Sequence, residues 1–388
     1  MDARIVGWGH TPFGRREETL EELIVSAARE ALDHSGLPAS EVDAIFVGHF
    51  NSGMVADGFP ASLALGVDDA LRFTPATRLE NACASGSAAV YAGRDAIRAG
   101  TARAVLVIGV EKMTAKDTAG VTEALAGASY QKEEAGRSFP SIFAQFAQAY
   151  FQANGDQSDA LAKIAAKNHA HALDNPLAQM RKDVGFEFCN TVSDRNPMIA
   201  PPLRLTDCSL ITDGAAALVM VAEDRAEEHD ISVRFRAGVQ INDYLPMSRR
   251  DVLKFEGPAR AFADAFSQAG VALSDISSAE VHDCFTIAEL LIYEAMGLVP
   301  QGKGRRAIDE GLVVKGGRLP VNLSGGLKAK GHPVGATGVS MHVLQAQQVT
   351  GQAGAMQVPG AELGLVFNMG GSGVANYCSI LEAEKAPA

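Results

Sequence analysis

Strand-like apolar runs and helical spacings alternate along this chain. Residues 3–9 and 42–47 read as strands. Between them, 19–34 places Leu20, Leu23, Ile24, Ala27 and Ala31 on one helical face before a stop at Gly36. Residues 59–71 read as a helix or helical loop. From Ser85 a run of small residues leads to Val90, Tyr91, Ala96 and Ile97 at helical spacing and ends at Gly100. Its approach, 77–80, is half polar and reads as a lead-in, not as a strand. Strongly apolar strands follow at 104–110 and 213–222. Strands alternating with helices predict a layered α/β fold.

The second half of the pattern repeats the first. Ala31, Gly36, Ser40, Val42 and Val47 align at one constant offset with Ala265, Gly270, Ser274, Ile276 and Val281. The helix after Gly86 matches one after Gly338, strand 105–110 matches 364–369, and 214–221 matches 373–381. A duplicated strand–helix unit makes the two helix starts pseudo-equivalent, both pointing to the seam between the halves. Between about 114 and 205 the periodicity breaks down, with helical pieces at 142–151 and 159–172 and prolines at 197, 201 and 202. This stretch reads as an insertion, and long insertions in compact domains are often binding lids. The organisation expected is an N-terminal half from 1–113 and 206–230, an inserted domain at 114–205, and a C-terminal half at 231–388.

A length of 388 residues supports the two cores that a duplication requires. The net charge of −12 argues against nucleic-acid binding and gives no reason to expect attraction to anionic lipid. A polyanionic ligand would have to be held by local basic groups, for which Arg181, Lys182 and the run 303–306 are the nominees, although a solvated face is their plainer reading. Five scattered cysteines, an odd number with no C-x-x-C pair, speak against a disulfide framework or structural zinc site. No run is long enough to span a membrane. The start, with Asp2 and Arg4, lacks a secretory signal, and the end, Lys385, Ala386, Pro387 and Ala388, is no peroxisomal address. A cytoplasmic protein is expected. Without a Walker loop or dinucleotide-binding glycines, so is the absence of a cofactor.

Four segments carry candidate chemistry. Cys83 sits at a helix start, where unpaired N–H groups and the helix dipole favour a thiolate; the same position also suits a small buried thiol. His282, Asp283 and Cys284 follow one another at a strand end. His332 lies before Pro333 in a glycine-dense loop, 322–338. Asn368, Met369 and Gly370 open a tight turn that offers backbone N–H groups. Together these supply a nucleophile, a base, a second acid or base and oxyanion donors, a complete set for acyl transfer. Cys189, Cys208 and Cys378 read as structural.

Cys-Ala-Ser-Gly-Ser at 83–87, His-Asp-Cys-Phe at 282–285 and Gly-His-Pro-Val-Gly-Ala-Thr-Gly at 331–338 make the whole chain resemble the thiolases. The likeness is strongest to the subgroup that includes the thiolase part of sterol carrier protein and the archaeal-type acetoacetyl-CoA thiolases. The resemblance implies a duplicated five-layer α/β/α/β/α core, a loop domain covering coenzyme A, and a homodimer or tetramer. It also implies acetyl-CoA, 3-oxoacyl-CoA and CoA as substrates, with Cys83 the nucleophile, His332 its base and Cys284 the second acid/base. By the same resemblance His332 and His282 form one oxyanion hole, and the N–H groups of Cys83 and Gly370 the other. Asp283 orients a neighbour. Two departures from classical thiolases stand out: His282–Phe285 replaces Asn-Glu-Ala-Phe, and Asn368 stands where a second catalytic cysteine is usual, a loss that Cys284 makes good in the subgroup. Two rivals remain at this stage. One is a decarboxylating, ketosynthase-like condensing enzyme using Cys83, His332 and His282, to which Cys284 would be superfluous. The other is an acyl-CoA-binding subunit that depends on a small OB-fold/zinc-ribbon partner, a reading the presence of Cys83 weakens.

Overall fold

The computed structural model describes residues 2–387; Met1 and Ala388, the last residue of the terminal stretch read above, lie outside it. Among the described residues eleven strands form: β1 (Ala3–His10), β2 (Ala44–Gly48), β3 (Ala76–Leu79), β4 (Ala104–Lys112), β5 (Met198–Ala200), β6 (Leu203–Arg204), β7 (Asp213–Ala222), β8 (Ser232–Asn242), β9 (Ser278–Val281), β10 (Leu363–Gly370) and β11 (Ala375–Lys385). The helices that matter here are α1 (Leu20–Ser35), α2 (Ser85–Arg98), α3 (Thr118–Ala126), α4 (Phe139–Asn154), α5 (Ser158–His171), α6 (Glu256–Ala269), α7 (Thr286–Ala295) and α8 (Thr337–Val349).

The main sheet runs β3-β2-β4-β7-β1-β8-β11-β10-β9. Its two halves have the same internal order: β2-β4-β7-β1 mirrors β9-β10-β11-β8, and the halves join where Arg4 faces Arg234 and Ile5 faces Val233 in antiparallel β1 and β8. The pseudo-repeat read from the sequence is therefore a duplicated sheet unit. Residues 77–80 depart from the reading given above, because 76–79 form β3, parallel to β2. As the outermost strand it is covered on one edge only. A half-polar composition, with Thr77 and Arg78 exposed, suits such an edge and hides the strand from an apolar-run criterion.

Helix α1 shows how the local signals act. Thr19 and Glu22 close a capping box, Gly36 ends the helix at φ 68°, and Leu20, Leu23 and Ile24 are buried on the sheet. Each such large apolar side chain contributes about 1.5–3 kcal/mol by burial. Helices α2 and α8 instead face each other across the seam between the two half-sheets. In the stretch 114–205 the helices α3, α4 and α5 pack on the core, while β5 and β6 form a separate two-stranded sheet. Among the described residues, no helix is long and apolar enough to cross a membrane.

Candidate active site

Cys83 occupies a tight turn just before α2. Ala82 has φ 50°, Ser85 Oγ accepts from Asn81 N at 2.9 Å and donates to Ala82 O at 2.6 Å, and Asn81 Nδ2 reaches across to Tyr377 Oη at 2.8 Å. His332 arrives in the loop before α8, where its N–H donates to Thr212 Oγ1 at 3.0 Å. His282 and Cys284 follow β9, and the end of β10 with the turn after it brings Gly370 and Gly371 alongside. All four segments singled out from the sequence thus meet at the seam. One ligating atom from each of Cys83, His282 and His332 lies within 4.8 Å of the others, and the two imidazoles stand 5.1 Å apart at 84°. Cys83, His282, Cys284 and His332 are all buried.

The thiol does not behave as its position at a helix start suggests. Burial, reinforced by the nearby Glu111 carboxylate, pushes the Cys83 thiol up to about 12, although the N–H groups of Gly371 and of Cys83 itself pull the other way. Desolvation outweighs the first-turn dipole here because Phe50, Met54, Met113, Val121, Ala124 and Val334 enclose the sulfur in an apolar cluster. The expected thiolate is therefore a neutral thiol at rest. The N–H that joins Cys83's own at the sulfur belongs to Gly371, one residue past Gly370. Burial and the Lys330 ammonium lower His332 to about 3, so it too is neutral. Its Nδ1 is 2.7 Å from Thr337 Oγ1, and the Thr337 hydroxyl is already donated to Pro333 O at 3.0 Å. The ring proton must then sit on Nδ1, leaving a lone pair on Nε2, an atom with no hydrogen-bond partner among the described residues. A proton acceptor with a free lone pair therefore faces a protonated thiol.

Cys284 is raised well above the ordinary thiol range by burial, then by Cys83 and Asp283. Asp283 faces away and acts as a clamp: it accepts from Leu327 N at 2.6 Å, Lys328 N at 3.2 Å and Asn168 Nδ2 at 2.8 Å. It thereby fastens the strand end carrying His282 and Cys284 to the loop carrying His332. Burial and Glu289 push its carboxyl up to about 7.

Several supporting residues escaped the sequence reading. Asn168 Nδ2 also donates to Glu289 at 2.6 Å, and Lys167 bonds Glu289 and Val321 O, so α5 drives two polar side chains into the core below the site. The available signal was the pair Lys167-Asn168 on a helical face otherwise lined by Leu161, Ile164 and Ala165. Glu111 accepts from Phe50 N, Asn51 N and Gly335 N, each at 3.0 Å. Of the basic residues nominated for phosphates, Arg305 and Arg306 are paired with Asp159, Asp309 and Glu310, and Arg181 donates to Leu173 O. Lys182 and Lys303 are exposed. A cleft of about 740 Å³ bordered by Phe50, Ala82, Ala128, Gly370 and Gly371 adjoins the Cys83 turn.

The thiolase N-terminal domain model matches residues 3–224, and the model described as thiolase C-terminal domain-like matches residues 238–383. The chain belongs to the thiolase family. It is 37% identical to an acetyl-CoA acetyltransferase of Methanothermobacter thermautotrophicus, over 96% of this chain and 97% of that protein. Against sterol carrier protein 2 of Bos taurus the identity is 30%, over 94% of this chain and 69% of the other. Among solved structures, the Ltp2-ChsH2(DUF35) aldolase superposes with a TM-score of 0.82 at 22% identity, over 99% and 98% of the two chains, which shows a shared fold.

Proposed function

We propose that the protein is an acyl-CoA acetyltransferase that runs a reversible Claisen condensation through an acyl-Cys83 intermediate. The observation that carries this reading is the convergence of Cys83, His332 and His282 within 4.8 Å, beside a second buried thiol, in a chain of the thiolase family. In the degradative direction, His332 Nε2 takes the Cys83 proton as sulfur attacks the 3-keto carbon of a 3-oxoacyl-CoA. The C2–C3 bond breaks, its electron pair forms the acetyl-CoA enolate, and Cys284 protonates C2. Free CoA, deprotonated by the Cys284 thiolate, then takes the acyl group from Cys83, whose departing sulfur recovers its proton from His332, so that both thiols and the neutral imidazole are restored. Synthesis is the reverse. Because the resting thiol and imidazole are both neutral, the proton moves as the C–S bond forms and no standing ion pair is needed.

Two oxyanions develop. His332, protonated after the first step, and His282 face the thioester enolate, while the N–H groups of Cys83 and Gly370, with Gly371 beside them, face the tetrahedral intermediate. The apolar cluster around Cys83, including Val121 and Ala124 of α3, is the surface an acyl chain would meet. We assign 114–205 the role of covering coenzyme A, with no cofactor beyond the CoA thioesters themselves. A homodimer or tetramer in the cytoplasm is part of the same reading, supported by the open edge of β3 and the exposed Phe59 and Phe73 near it. The likeness to the Ltp2-ChsH2(DUF35) aldolase makes a small partner protein the target of a co-purification test.

The test is intact-protein mass spectrometry after mixing with acetyl-CoA or acetoacetyl-CoA. An acetyl adduct on the wild type that disappears in Cys83→Ala, with CoA consumed in thiolysis, is the expected result. A Cys83→Ala variant that still carries the adduct would overturn the assignment.

A further inference from the structure

One buried amide holds the site together. Asn368, fully buried at the end of β10, touches both the nucleophile's turn and His282. Its Nδ2 is 3.2 Å from Cys83 O and 2.9 Å from His282 Nδ1, and its Oδ1 accepts from Ser87 Oγ at 2.8 Å. A carbonyl can only accept, so the contact with Cys83 O fixes which end of the amide carries the protons. The second Nδ2 proton must then go to His282 Nδ1, which offers its lone pair. His282 is neutral, held far below its ordinary range by burial and by the neighbouring His332 and Lys330, so its single ring proton lies on Nε2. That Nε2 has no hydrogen-bond partner among the described residues. The two imidazoles therefore present opposite faces: His332 a lone pair, His282 an N–H. The same bond counts against reading Cys83, His282 and His332 as a metal site, because a protonated Nε2 is no ligand.

We infer that Asn368 is a positioning residue whose amide fixes His282 in the Nε2–H tautomer, so that His282 serves as an oxyanion donor and not as a second base. The inference rests on the thiolase reading of the site. Asn368 touches no reacting atom; it acts through the ring it holds.

The test combines spectroscopy with a double-mutant cycle. In ¹⁵N-histidine-labelled wild type, long-range nitrogen–proton spectra assigned with His282→Gln should show His282 protonated at Nε2 and bare at Nδ1. A wild-type ring protonated at Nδ1 overturns the inference, whether or not any variant folds and whether or not the enzyme turns over acetoacetyl-CoA. That separates its failure from failure of the functional reading. Asn368→Leu keeps the side chain's branched shape, with somewhat more bulk, but has no donor, and it should populate the other tautomer. Its kcat for thiolysis of acetoacetyl-CoA should fall by up to about 10²–10³, the loss typical of one oxyanion donor, with little change in KM. In a His282→Gln background the donor is an amide with no tautomer to choose. There Asn368→Leu should cost no more than about twofold. Losses that simply add across the cycle would mean that Asn368 only packs, and would overturn its role in catalysis.

Discussion

Gly338 lies against Ser87 so closely that a methyl group on its Cα would sit 2.2 Å from the Ser87 nitrogen and 2.4 Å from Oγ. The relationship is nearly reciprocal, since a methyl on Gly86 would meet Gly335 O at 2.7 Å and Val339 N at 2.9 Å. The first turns of α2 and α8 thus touch backbone to backbone, and this contact sets the distance between the Cys83 turn and the His332 loop. Gly338→Ala has no flexible neighbour to push aside. It should destabilise the fold by about 1–3 kcal/mol, the range for overpacking, with a lower thermal midpoint in calorimetry. Because displacement of reacting groups by ~1 Å can cost ~10² in rate, kcat should fall beyond what the lost stability explains.

His332, held to about 3 chiefly by burial and then by Lys330, keeps its lone pair across the whole working range. The pH profile of kcat/KM should therefore show no acid limb near 6.5, where an ordinary histidine would protonate. Lys330→Met removes the charge but not the burial, so the His332 pKa rises part of the way and an acid limb enters the profile from below. An acid limb near 6.5 in the wild type would count against His332 as the base, as would a Lys330→Met profile that matches the wild type.

Much of this arrangement was legible in the sequence. The duplication emerged from aligned apolar and glycine positions because both halves bury the same strand and helix faces. The four segments that meet at the seam are conspicuous for different reasons: a thiol or an imidazole among small residues and glycines at Cys83 and His332, three ionisable side chains in succession at 282–284, and a glycine turn after an apolar strand at 368–370. What escaped detection depends on tertiary contact. Asn368 was seen only as part of a turn, and nothing local says that its amide ends on His282. Glu111 closes an apolar strand and looks like an ordinary surface carboxylate, yet it is buried with three backbone donors. The resting state of Cys83, which the sequence leaves open between a thiolate and a buried thiol, is hidden for a related reason: the helix start is visible in the chain, whereas the apolar residues that desolvate the thiol come from 50–54, 113–124 and 334. Strand β3 was missed because an edge strand lacks the two-sided burial that makes a strand apolar.

The clamp at Asp283 predicts an unusual pH dependence of stability. Its carboxyl sits at about 7 in the fold against a reference of 3.8, owing first to burial and then to Glu289. Between those values the folded state holds more protons than the unfolded one. The contribution of this group is thus fully present below about 3.8 and is lost as pH rises through about 7. Asp283→Asn removes that titration while keeping an acceptor for Leu327 N. Urea unfolding across this range should give a shallower decline with rising pH than in the wild type. A difference between the two that does not change with pH would show that Asp283 does not titrate there.

Cys284 separates this site from one that needs a single thiol. Its thiol is buried, bracketed by Cys83 and Asp283, and raised well above the ordinary range, so like Cys83 it is protonated at rest. In that state it can deliver a proton to an enolate carbon, which its thiolate must later recover from incoming CoA. Cys284→Ala removes that proton without touching the nucleophile. A positioned acid–base group contributes typically about 10²–10⁴, so thiolysis of acetoacetyl-CoA should fall by that much while Cys83 remains open to alkylation by iodoacetamide. The pair of readouts matters. If Cys83 lost its reactivity as well, the substitution would have disturbed the shared apolar enclosure and the rate would say nothing about proton transfer. If Cys83 kept its reactivity and thiolysis proceeded at the wild-type rate, the proton would have to come from elsewhere, and the assignment of Cys284 would fall.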